Sequence, residues 1–192
     1  MDVVSASIEN LNLTEDTNKM TLALIVVEML VFACACWMVF FLSLFAHELG
    51  HAVVYMLITG NIHTSWHLRV GSGKSLLKTK HFSIKLAVFD GVFEPEEDRM
   101  ESKTAILTLL GGPLFSLILV GILLYTRLNI ATFDSVIISS EAIPFFSNLS
   151  LSVNTGYLLS SLAPIHYFWG EIKGKESDIL RIINIIKSNR NN

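Results

Sequence analysis

The chain has few charged residues for its length. Asp, Glu, Lys and Arg make up 16% of its 192 residues, whereas hydrophobic residues make up 52%. An ordinary soluble domain carries about 25% charged residues, so this composition argues against that class. The net charge of −3, with no basic stripe or aromatic RNA-binding motif, argues against a nucleic-acid partner. The length leaves room for one domain.

Cysteine and amino-terminal basic residues are also scarce. The two cysteines, Cys34 and Cys36, lie two positions apart in an apolar stretch, so on a helix they point to different faces and are predicted to be packing residues. Residues 1–20 contain four acidic residues and the single base Lys19, which is unlike the basic flank of a secretory signal peptide. We therefore expect the first apolar stretch to be retained, with residues 1–20 as an extracytoplasmic segment.

Three apolar stretches are long enough to cross a membrane as helices, which takes about 20 residues. They cover residues 22–59, 104–126 and 142–169, and no alternating barrel pattern accompanies them. The predicted fold class is an all-α membrane protein with three transmembrane helices and a small β element, and residues 21–192 form one core. The first stretch exceeds what a membrane needs, so it is either one long helix or a broken one.

The β element is predicted between residues 62 and 93. Trp66–Val70 and Phe82–Leu86 alternate apolar with polar residues, and Gly71-Ser72-Gly73 and Asp90-Gly91 suggest turns. These features predict an antiparallel sheet that is re-entrant or lies at the membrane interface. Isoleucines at helical spacing predict a short amphipathic helix over residues 177–187.

Basic residues are distributed unevenly along the chain. Twelve of the fourteen lie between the first two apolar stretches or after the third. Because basic loops stay in the cytoplasm, this distribution predicts an outside amino terminus, with the sheet and the carboxyl terminus inside. The expected location is a multi-pass protein of the bacterial cell membrane. The oligomeric state stays open.

The most informative motif is His47-Glu48-Leu49-Gly50-His51. On a helix, residues i and i+4 share a face, so both imidazoles can bind one zinc ion. Glu48 is then placed to act as general base towards water activated by Zn²⁺. A catalytic zinc needs a third protein ligand. The sequence motifs alone do not identify it, and the candidates are a carboxylate or one of the other histidines, His63, His67, His81 and His166.

The chain resembles the site-2 protease family of intramembrane zinc metalloproteases, in particular its small members. The resemblance covers about residues 42–180 and rests on several motifs in the same order: the His47–His51 motif, Val70–Lys74, Phe89–Val92, Gly112-Pro113, Val153–Gly156, Pro164 and Ser177-Asp178. It implies that Asp178 is the third metal ligand, and that the sheet pairs with an unwound substrate strand. In this chain Ile179 follows Asp178, where the family pattern has Gly, and Ser116 and Ser161 stand where it has Asn.

Asn154 is retained from the family pattern. We expect it either to assist the substrate or the oxyanion, or to make a hydrogen bond between helices. The predicted function is hydrolysis of membrane-embedded or membrane-tethered peptides by zinc-activated water, with the bilayer and such peptides as partners. Two alternatives are a zinc-binding membrane chaperone or regulator without proteolysis, and a transporter subunit whose ion path uses Glu28, His47, Glu48 and His51.

Overall fold

The computed structural model describes residues 2–60, 66–95, 100–130, 142–168 and 172–191. By its contacts the chain divides into two units, Met1–Trp37 and Met38–Asn192. The first unit consists of the amino-terminal part of helix α1, which covers Asp2–Thr59. The second contains the rest of that helix and all other elements.

Helix α1 runs without interruption over Asp2–Thr59. The first apolar stretch is therefore one long helix, and the helix also covers the predicted amino-terminal segment. Within the first unit, every side chain from Lys19 to Phe32 is exposed, including large apolar ones such as Met29, Leu30 and Val31. Such a continuous apolar surface is unlike that of a soluble monomer and fits contact with lipid.

Two described helices are long and apolar enough to cross a membrane, namely Lys19–Thr59 within α1 and Ser102–Asn129 within α2, which spans Ser102–Ile130. Helix α3, Ala142–Leu162, does not qualify, because Ser and Asn recur along it and lower its hydropathy. The prediction of three transmembrane helices is corrected to two candidate spans. The third predicted span, 142–169, is also too long, since its helix ends at Leu162.

The small sheet contains two antiparallel strands, β1 (Trp66–Lys78) and β2 (Phe82–Pro95). Residues 68–70 of β1 each lie opposite two residues of β2. Leu68, for example, lies opposite both Phe82 and Phe93. The predicted turns at 71–73 and 90–91 are wrong, because both lie inside strands. Gly71 and Gly73 have positive φ values of 87° and 80°, so they let β1 bend where a turn was expected.

Close helix packing brings the site together. A Cβ on Gly50 of α1 would lie 2.5 Å from the Gly111 carbonyl oxygen of α2, so the two backbones touch at a glycine pair. Helix α2 also packs against α3 and α4, the latter spanning Asp178–Arg190. The core around these contacts includes Leu44, Ala52, Tyr55, Leu68, Val70, Val88 and Ile182.

Candidate metal centre

The structure brings His47, His51 and Asp178 together. The Nε2 atoms of His47 and His51 lie 3.4 and 3.5 Å from the same carboxylate oxygen, Oδ2 of Asp178. One ligand atom from each residue lies within 4.8 Å of the others, and among the described residues this is the group of His, Cys, Asp and Glu that could hold a metal ion. Both histidines are buried. Two imidazoles and a carboxylate are a ligand set that zinc accepts, with one position left for water.

The opposite ring nitrogens are held by helix α2. Nδ1 of His47 lies 2.8 Å from Ser116 Oγ, and Nδ1 of His51 lies 2.8 Å from the Thr108 carbonyl oxygen. The Thr108 carbonyl can accept but not donate, and when it accepts from His51 Nδ1 the Nε2 atom keeps a lone pair for a metal. The backbone N–H of Gly112 lies 3.2 Å from the same Nδ1 and donates to it in the opposite tautomer. Partners of this kind fix the ring orientation of histidine ligands in metal sites.

Gly112 of α2 forms one wall of the ligand cluster. A Cβ at this position would collide with the Nε2 atoms of both histidines and would lie 2.7 Å from that of His47. The backbone of α2 therefore reaches the ligand atoms themselves, and a side chain there would occupy the space between them. The residues present thus fit a bound metal ion both in donor chemistry and in the space they enclose.

Asp178 is the first residue of α4, and electrostatics favour its charged form. Burial by itself raises the pKa of this carboxyl, but hydrogen bonds with His47 and His51 and their positive charge lower it well below its usual range. A carboxylate that stays ionised in a buried site is suited to bind a cation.

Ser177, which is fully buried, fixes the start of α4. Its hydroxyl donates to the Ala163 carbonyl at 2.6 Å, just beyond the end of α3, and accepts from the backbone N–H of Leu180 as the helix N-cap. Its own N–H donates to the Ile165 carbonyl at 2.9 Å. This network holds the residue next to Asp178 without the Gly that the family pattern places after the Asp.

Glu48 is buried beside the cluster and packs against β2. A Cβ on Gly91 would lie 2.5 Å from Glu48 Oε1, so the strand backbone lies directly against this carboxylate. Glu48, both histidines and Asp178 line one cavity of about 690 Å³. Glu48, the predicted general base, and three metal-ligand candidates therefore line the same cavity, an arrangement compatible with hydrolysis by activated water.

The other candidate ligands lie elsewhere. The His81 ring stacks on Trp66, and its Nδ1 lies 3.0 Å from the Trp66 carbonyl oxygen. His166 is largely exposed and pairs with Glu176. Neither these two nor His67 belongs to the metal-binding group, and His63 lies outside the described residues.

Asn154 is buried between helices. Its Nδ2 donates to Ser43 Oγ of α1 at 2.9 Å and to the Ser150 carbonyl at 2.8 Å. It does not line the cavity that contains Glu48. The described contacts are those of the helix-packing alternative, and a role towards substrate stays a prediction.

Thr108, Gly112 and Ser177 are site residues for which sequence reasoning predicted no role at the metal. Gly112 belongs to the Gly112-Pro113 motif of the family resemblance, to which no metal role was attached, and Ser116 is a departure from the family pattern. For Ser177, a Ser directly before a helical run is an N-cap signal that could have been used. For Thr108 the sequence offers no signal, because the contact with His51 is made by the backbone carbonyl oxygen, which every residue type has.

The comparisons with known proteins agree with this geometry. The model of peptidase family M50, the family of site-2 proteases, matches residues 35–188, which make up most of the chain and include His47, Glu48, His51 and Asp178. No curated protein and no solved structure gives a match. Since the match covers well over half of its length, the chain belongs to peptidase family M50, a family of metalloproteases.

Proposed function

We propose that this protein is an intramembrane zinc endopeptidase in which His47, His51 and Asp178 hold Zn²⁺ and Glu48 is the general base. The observation that carries the proposal is the convergence of three metal-ligand atoms within 4.8 Å, in the cavity that Glu48 also lines. Family membership supports the same reaction class.

Zinc, when bound, supplies a Lewis acid that polarises a carbonyl and lowers the pKa of water to about 7. Glu48 takes one proton from the attacking water as its oxygen bonds to the scissile carbonyl carbon. The carbon–nitrogen bond then breaks, and Glu48 passes the proton to the leaving amine. The products are an amine and a carboxylic acid, which then releases its remaining proton to water, and the base is regenerated.

The substrates are peptides embedded in or tethered to the membrane, and the bilayer is the second partner. Helical backbone is shielded from attack, so such a peptide must lose helical structure near the cluster. The basic residues between the two candidate spans support an outside amino terminus and a cytoplasmic sheet, in the bacterial cell membrane. A cytoplasmic carboxyl terminus would need a third crossing, for which α3 does not qualify.

Metal content and cleavage together test the proposal. Purified protein is expected to carry about one zinc per chain, and removal of that zinc by a chelator is expected to abolish hydrolysis until Zn²⁺ is restored. Substrates can be found by comparing the membrane peptidome of cells that express the active protein with that of cells that express the Glu48→Gln variant. Purified protein without zinc, or cleavage that persists in its absence, would contradict the assignment.

The two rival functions give different results. A zinc-binding chaperone or regulator would carry zinc but leave the peptidome unchanged. A transporter that used Glu28 with the motif residues would show ion flux that depends on Glu28 and needs no stoichiometric zinc. Three apolar stretches without an internal repeat do not favour a transporter, since many transporter folds contain paired halves.

Ser177→Ala tests how the third ligand is held. The change removes the hydroxyl that caps α4 and ties it to Ala163, so Asp178 loses its support. We expect zinc affinity to fall about 10- to 100-fold, the range typical for partners of metal ligands. Competition with a chelator of known affinity measures this. Ser188→Ala, an exposed serine of the same helix, is the control; equal zinc affinity in the Ser177 variant and wild type would refute the role.

A further inference from the structure

Tyr157 of α3 presents a phenol at the cavity that contains the metal cluster. It lines this cavity together with His47 and Glu48, and its ring centroid lies 6.4 Å from that of His47. The hydroxyl donates to the Val88 carbonyl of β2 at 3.4 Å, close to the limit of a hydrogen bond. So long a bond is weak, and its proton can be redirected to a better acceptor at little cost.

The other hydroxyls at the cavity are less suited to meet a substrate. Thr108 Oγ1 has less than 1 Å² of exposed surface. Ser160 Oγ donates to the Tyr157 carbonyl, and the Tyr167 phenol is hydrogen-bonded to the Ser160 side chain. Tyr157 is partly buried like Tyr167, but its phenol is held by the long bond of 3.4 Å to the Val88 carbonyl.

Hydrolysis of a peptide needs a hydrogen-bond donor at the scissile carbonyl. Attack by water places a negative charge on that oxygen, and one preorganised donor typically contributes about 10²–10³-fold to kcat. Asn154, the predicted candidate, already directs its Nδ2 to Ser43 and Ser150 and does not reach the cavity lining. Tyr157 lies three residues further along α3, on the next turn, and it lines the cavity.

We propose that Tyr157 is a further catalytic residue, whose phenol leaves the Val88 carbonyl and donates a hydrogen bond to the oxyanion of the substrate. The O–H bond is kept throughout, so no proton is transferred by this residue. The inference rests on the proposed protease function. In addition to the zinc ion, it gives the scissile carbonyl a hydrogen-bond donor that belongs to the protein itself.

Tyr157→Phe removes one oxygen atom and provides the test. With a peptide identified from the membrane peptidome as substrate, kcat is expected to fall about 10²- to 10³-fold, with KM within about threefold of wild type and zinc content unchanged. A phosphinic analogue of that peptide, which mimics the tetrahedral anion, is expected to lose affinity by the same factor as kcat/KM.

Two matched changes serve as comparisons. Tyr125→Phe, at an exposed tyrosine of α2, is expected to behave as wild type. Tyr167→Phe is expected to lower kcat less than threefold. The proposal is overturned if Tyr157→Phe has the kcat of wild type, or if its defect is confined to a lower zinc content or a changed KM. It is also overturned if Tyr157→Phe binds the phosphinic analogue as tightly as wild type, or if Tyr167→Phe lowers kcat by as much. If wild type itself cleaves nothing, the protease function fails instead, so the two failures are distinguishable.

Discussion

Glu48→Gln is expected to retain zinc and to lower kcat by on the order of 10²–10⁴-fold. The amide keeps the shape of the carboxylate and its contact with Gly91, but it cannot take a proton from water. Zinc content stays at the wild-type value, because in our assignment Glu48 is not a ligand. The measurement is single-turnover cleavage of an identified membrane peptide, with metal analysis of the same preparation.

Glu28→Gln is the matched control for this change, since it makes the same substitution on the same helix at an exposed site. The protease assignment expects wild-type cleavage from it. If Glu48→Gln still cleaved, Glu48 would not be the base. If Glu28→Gln instead removed activity, the ion-path alternative would gain support.

Gly112→Ala is expected to abolish zinc binding and, with it, all cleavage. The added methyl group would occupy the space between the two ligand nitrogens, 2.7 Å from that of His47. Neither ring can retreat easily, because their other nitrogens are held by Ser116 and Thr108. Metal analysis of the purified variant should find essentially no zinc, although Ala favours the helix by about 1 kcal/mol over Gly.

Gly121→Ala is the control on the same helix. A Cβ at Gly121 has no atom within 4 Å, so this variant should keep its zinc and its activity. Zinc at the wild-type level in Gly112→Ala would show that the rings and α2 can separate, and the close approach described above would then not matter for the site.

The sequence predicted the parts of the site that depend on local spacing. His47 and His51 share a helix face whatever the rest of the fold does, because the separation of four residues sets their geometry. Asp178 lies far along the chain, and only the family resemblance singled it out among the histidines and carboxylates. The structure places it within 3.5 Å of both rings.

The parts that the sequence did not predict depend on packing between distant segments. Ser116 meets His47 because α1 and α2 approach at Gly50 and Gly111, and no local pattern reports which faces meet. The errors in the sheet have a similar origin. Gly71 and Asp90 look like turn residues, but pairing with the opposite strand keeps both within extended structure.

The order of the ligands along the chain bears on biosynthesis. His47 and His51 belong to the first helix, whereas Asp178 opens the last one. When the apolar helices have been translated, the nascent chain therefore still lacks its third candidate metal ligand, because Asp178 follows them in the sequence. In the proposed enzyme, the metal site can therefore form only after both candidate spans have been translated.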